Sequence, residues 1–146
     1  MRGFWRVWMT LWCGAVLVLG LVFVLAVAPG LDVAAKLYFE IQGHFDRDRT
    51  AFESPVMKES LGVLGAVLIG WALTALGMVR VAATGDPRVW RWLTGAVTLW
   101  YLVDTSLSIG NGYVVNGGLN SLFLGAFLAP VLLTGVLADN SGNAGT

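Results

Sequence analysis

Three stretches of this chain run twenty residues or more without a charge: from Arg6 to Asp32, from Glu59 to Arg80 and from Asp104 to Asp139. An apolar run of about 20 residues is long enough to cross the hydrocarbon core of a bilayer as a helix. A shorter run, from Arg91 to Asp104, completes a set of four. The pattern predicts an all-α membrane protein, a four-transmembrane-helix bundle with spans at about 7–28, 55–79, 89–110 and 118–138. The composition agrees, since 57% of residues are hydrophobic and only 12% charged, where a soluble domain carries roughly a quarter. Residues 1–146 read as a single transmembrane domain, with 139–146 expected as a disordered tail.

Local signals set the ends. Arg2 and Arg6 before an apolar run resemble the start of a signal peptide, and Ala26-Val27-Ala28 resembles its cleavage site. The run exceeds the usual core of roughly 7–15 residues, and Pro29 follows the cut directly, so the segment reads as a retained span. Trp5, Trp8 and Trp12 near its Arg-bearing end read as an aromatic belt, as do Trp90 and Trp92 at the start of the third span. Pro29-Gly30 ends the first helix. Ser54-Pro55 opens the second with a cap residue and a first-turn proline. Thr84-Gly85-Asp86-Pro87 makes a turn before the third. Gly110-Asn111-Gly112 and Asn116-Gly117-Gly118 read as one long break before the fourth. Pro130 is expected to kink that helix without ending it.

Between the first two spans lies the sizeable polar segment, residues 31–54. Val33, Ala34, Leu37, Tyr38 and Ile41 recur at helical spacing, while Asp32, Lys36 and Glu40 step by four on another side. This is a short amphipathic helix lying on the membrane surface, in the first extracytoplasmic loop. The following HFDRDRTAFES is a solvated loop.

Two stripes of small residues invite close helix contacts: Gly62, Ala66 and Gly70 on the second span, and Gly117, Ser121, Gly125 and Ala129 on the fourth. The partner of the first stripe is another helix of this chain or of a second copy. Short segments rich in Arg, namely Arg2 and Arg6 and then Arg80, Arg88 and Arg91, place both termini in the cytoplasm. A cytoplasmic (inner) membrane is the expected location.

Asp104 is the acid that interrupts an otherwise uncharged region. It lies about six residues before the outer end of its helix, so roughly 9 Å deep at about 1.5 Å per residue. Trp100, Asp104, Ser108 and Asn111 share one face, and Asn116 and Asn120 begin the next helix at the same level. Together they predict an outward-facing polar pocket. An acid at the bilayer centre costs about 2.5–3.5 kcal/mol, less toward the interface, so it is paired, protonated or functional. A bland role is to fasten the third helix to the fourth, at about 0.6 kcal/mol per interhelical bond.

Several classes of function drop out. Nine basic and nine acidic residues give no net field to attract nucleic acid. Cys13, the single cysteine, makes no internal disulfide. His44, the single histidine, falls short of the several ligands a haem or zinc site takes, so no metal and no cofactor is expected. Ser106 and Ser108 have no histidine at catalytic spacing, and the glycine-rich break lacks the Gly-Lys-Ser/Thr of a phosphate loop. The balance leans away from an enzyme.

The glycine-stepped GVLGAVLIGWALTALG of residues 62–77 and the four-span layout resemble small bacterial four-helix membrane proteins of the DoxX-like kind. The resemblance is one of pattern and carries no functional residue over. Small four-helix multidrug transporters place their acid in the first helix, whereas here it is in the third. Two readings remain. One is a membrane protein binding a lipid, another amphipathic ligand or a membrane partner near Asp104. The other is a small proton-coupled transporter using Asp104, as a dimer. Membrane lipids are the expected partners, with a homodimer or larger complex as a further one.

Overall fold

The computed structural model describes residues 3–43, 52–82 and 86–137. Their α-helices are α1 (Phe4–Leu25), α2 (Val33–Ile41), α3 (Pro55–Ala82), α4 (Pro87–Gly110) and α5 (Val114–Leu133). No strand occurs among the described residues. Three of these helices, α1, α3 and α5, are long and apolar enough to cross a membrane. The exposed surface is itself apolar, with Leu11 and Val18 on α1, Val63, Val67 and Leu73 on α3, and Leu122 and Leu132 on α5 all outward. Water does not tolerate such a surface, and the chain is a helical membrane-type protein. Of the expected solvated loop at residues 44–54, residues 44–51 with His44 lie outside the described residues, as do residues 83–85 and those from 138 onward, while Phe52 is buried in the cluster with Ala35 rather than solvated.

The helix ends follow local chemistry. Asp86 caps α4 by accepting from the Arg88 amide at 2.8 Å, with Pro87 in the first turn. At the other end Gly112 takes φ +87°. Its amide donates to the Ile109 carbonyl at 3.0 Å, and the Tyr113 amide donates to that of Ser108 at 2.8 Å. This is the Schellman pattern, which needs a left-handed residue just past the helix. One glycine therefore makes the whole break. The rest of the expected break is absent, because Asn116, Gly117 and Gly118 lie inside α5, which begins at Val114.

The four long helices form two tight pairs, α1 with α3 and α4 with α5, and the pairs touch each other less extensively. Along α3, Leu61, Gly65, Leu68, Ala72, Ala75 and Val79 turn inward at alternating steps of four and three. That is the seam of a left-handed helix pair. Met9, Cys13, Val16, Gly20 and Phe23 make the matching seam on α1. At the crossing, a Cβ on Gly65 would lie 2.6 Å from the Gly20 carbonyl oxygen, and one on Gly20 would lie 2.8 Å from that of Gly65. Only glycine allows backbones this close.

The close approach expected along Gly62, Ala66 and Gly70 is therefore one residue away in register. Gly62 does approach the Val27 side chain, but Ala66 and Gly70 face outward, and a Cβ placed on Gly70 would meet nothing within 4 Å. On α5, Gly117 is buried against Ile109 and Thr105, whereas Gly125 has open space and Ser121 is exposed.

At the Arg-bearing end the helices pack solidly around Met9, Trp12, Val79, Trp90, Val97 and Phe127. Trp12 and Trp90, expected as belt residues, are inside this core, and Trp92 stays exposed. Pro130 sits within α5, which ends at Leu133, about one turn later. Proline has no amide to bond the carbonyl four residues back. That carbonyl belongs to Ala126, and Trp8 Nε1 of α1 donates to it at 2.8 Å. Trp12 Nε1 donates to the Phe123 carbonyl at 3.1 Å. Tryptophans read as interface anchors instead tie α1 to the proline-weakened helix.

At the opposite end the pairs separate and α2 lies over α1. Ala35 packs with Phe23, Ala26, Phe52 and Leu61. Lys36 bonds Asp32 at 2.7 Å, the i, i+4 pair read from sequence. The apolar side of α2 divides in two. Ala35, Tyr38 and Phe39 turn inward, while Val33, Leu37 and Ile41 are exposed.

Candidate functional site

Because the pairs part above the solid end, a cavity of about 850 Å³ opens between them. Its size falls within the roughly 300–1,000 Å³ of ordinary ligand pockets. α1, α3, α4 and α5 supply most of the wall, and α2 contributes Tyr38, Phe39 and Gln42. Leu64, Val103, Leu107 and Leu122 line it while remaining exposed, so it is open at the side.

Four aromatic rings, one from each long helix, mark its inner limit. Trp12 stacks on Phe123 with centroids 4.5 Å apart, Phe123 meets Trp100 at 5.8 Å, Trp100 meets Trp71 at 6.1 Å, and Trp71 returns to Trp12 at 5.8 Å. Edge and offset contacts of this kind are favoured by the ring quadrupoles. Trp71, Trp100 and Phe123 form the floor of the cavity, and Trp12 lies beneath it in the core.

One helical turn above Trp100 stands Asp104. Its Oδ2 accepts from Asn120 Nδ2 at 3.1 Å, and its Oδ1 accepts a long bond from Ser108 Oγ at 3.5 Å. Ser108 in turn accepts from Asn116 Nδ2 at 2.6 Å. The donors of this network all point toward the carboxylate. Gln42 is buried on the α2 side and bonds Tyr38. Burial pushes the Tyr38 phenol above its ordinary pKa, the Gln42 bond opposes this, and the charge of Asp104 adds to it.

The structure thus brings together Trp100, Asp104, Ser108, Asn116 and Asn120 on one cavity. It leaves out Asn111, which is exposed and bonds back to the Leu107 carbonyl at 2.7 Å as the C-cap of α4. Asn111 caps a helix whose last carbonyls need partners, so its side chain is spent locally. Comparison of the chain with protein-family models, characterised proteins and solved structures finds no match. No relative therefore supplies a role for these residues.

Sequence reasoning placed Trp100 at the site but missed Tyr38, Gln42 and the other two rings of the floor, Trp71 and Phe123. Tyr38 and Gln42 stand at i and i+4 on α2, a spacing visible in the sequence, but only the packing of α2 on α1 turns them toward Asp104. Trp71 was a solitary aromatic on a long apolar helix and gave no signal. No group of three or more His, Cys, Asp or Glu that could hold a metal occurs among the described residues. Cys13 is buried in the core, away from the cavity lining.

Proposed function

We propose that this protein binds an amphipathic, lipid-like molecule in the cavity between its helix pairs. The observation that carries the reading is the cavity itself, apolar over most of its wall, open at the side and polar at Asp104, Ser108, Asn116 and Asn120. A tail entering from the bilayer meets leucines and aromatic rings, and a head group meets the carboxylate and amides.

The reading includes a fourth crossing by α4. Its 24 residues reach roughly 36 Å at about 1.5 Å per residue, enough for the hydrocarbon core. Its polar groups Thr105 and Ser108 are buried, while Leu99, Leu102, Val103 and Leu107 are exposed. Averaged hydropathy understates such a helix, because its polarity faces inward. With the Arg-bearing end in the cytoplasm, the cavity faces outward and both termini lie inside.

The test is native mass spectrometry of the protein purified in mild detergent, wild type against Leu19→Trp, which places an indole in the cavity. A retained molecule in the wild type that is lost in the variant is the expected result. No retained molecule, or equal retention by both, overturns the reading. Because Asp104 is an acid facing the cavity, proton-coupled transport is the second reading. Substrate-dependent proton flux in proteoliposomes, abolished by Asp104→Asn, is its signature.

A further inference from the structure

We propose that the head group taken by this cavity is a cationic amine, an ammonium carried on an apolar tail and seated between Asp104 and the aromatic floor. The inference rests on the lipid-binding reading and names its ligand class.

Charge is the first argument. Among the described residues lining the cavity, Asp104 is charged and no Lys or Arg is present. The other polar groups there are amides and hydroxyls. A phosphate or carboxylate head would meet the Asp104 charge with no lining cation to offset it, and like charges at close range disfavour each other. Lys36, the cation on α2, is held by Asp32 at 2.7 Å and lies 5.6 Å from the centre of the Phe52 ring, outside the cavity lining.

The second argument is acceptor capacity. Asn116 donates to Ser108, Ser108 to Asp104, and Asn120 to Asp104 from the other side. One of the two bonds on the carboxylate is long. A carboxylate has about four lone-pair sites, so the network orients Asp104 and leaves it acceptor sites to offer. An ammonium has only donors to give and matches them.

The third argument is the floor. Trp100 lies one turn below Asp104 on the same helix, flanked by Trp71 and Phe123. Aromatic faces attract cations through the ring quadrupole, tryptophan most strongly. An acid one turn above such a floor gives a cation favourable contacts on two sides, whereas a neutral or anionic head gains neither.

The experiment is a tryptophan-fluorescence titration of the full chain in amphipol with three probes that share a twelve-carbon tail: dodecylammonium, dodecanol and dodecyl phosphate. We expect dodecylammonium to bind about tenfold or more tightly than dodecanol, the scale of one opposite charge at contact range. Dodecyl phosphate should bind most weakly. Asp104→Asn should remove the preference for the amine over dodecanol. Equal binding of the three probes by the wild type overturns the inference while the lipid-binding reading stands, and needs no variant to fold. Retention of the amine preference by a folded Asp104→Asn also overturns it. Absence of saturable binding by any probe overturns both.

Discussion

Gly65→Ala adds one methyl group where α1 and α3 cross. The new Cβ would lie 2.6 Å from the Gly20 carbonyl oxygen and 2.8 Å from both the Val24 amide nitrogen and a Val24 methyl. Ordinary contact begins near 3.4 Å, so the helices have to part by about 0.8 Å at this point. Two of the three obstacles are backbone, and no rotamer change relieves them. Overpacking a well-filled interior costs about 1–3 kcal/mol. Parting by 0.5–1 Å also forfeits roughly a quarter to a half of the dispersion attraction along the seam. A cost of about 2–3 kcal/mol is expected, in the upper part of that range. Gly70→Ala is the control, since its Cβ meets nothing within 4 Å. It should cost nothing, and alanine's helix propensity can return up to about 1 kcal/mol. Thermal and denaturant unfolding in detergent, run side by side, reads both. If Gly70→Ala is the more damaging of the two, or Gly65→Ala leaves stability unchanged, the α1–α3 seam is misplaced and the reasoning fails.

Trp8→Phe should destabilise the protein by about 0.6 kcal/mol, the average for a side-chain bond within a membrane protein, by stripping the Ala126 carbonyl of its donor. In a Pro130→Ala background that cost should shrink, because the restored amide takes the carbonyl; equal costs in a double-mutant cycle of melting curves would refute the link. For topology, single cysteines at Asp46 and Asp86 are exposed to an impermeant maleimide in spheroplasts. Position 46 should label and position 86 should not, and the reverse pattern inverts the orientation.

Element existence was legible because its causes are local. Charge-free runs, the Ser54-Pro55 and Asp86-Pro87 starts and the glycine after α4 act within a turn or two of themselves. Most of the polar residues at the site were legible too, since Trp100, Asp104 and Ser108 share a face by spacing alone. The packing faces were not. A stripe read in steps of four, such as Gly62, Ala66 and Gly70, drifts by about 40° per step around a helix with 3.6 residues per turn. The seam actually used alternates steps of four and three, through Gly65, Leu68, Ala72 and Ala75.

The sequence by itself determined that this chain is helical and apolar enough for a membrane, where several of its helices begin or end, and that an acid interrupts the last long apolar stretch. Which face of each helix meets which partner was decided by the tertiary structure. In water, polarity marks the outside of a helix. In lipid, an outward leucine and an inward one are equally at home, so association is settled by how closely two particular backbones approach and which bonds they complete. The Gly20–Gly65 crossing, the Trp8 bond to the carbonyl that Pro130 frees, and the parting of the helix pairs that opens the cavity beneath Asp104 depend on two or more helices at once, and no single stretch of sequence carries them.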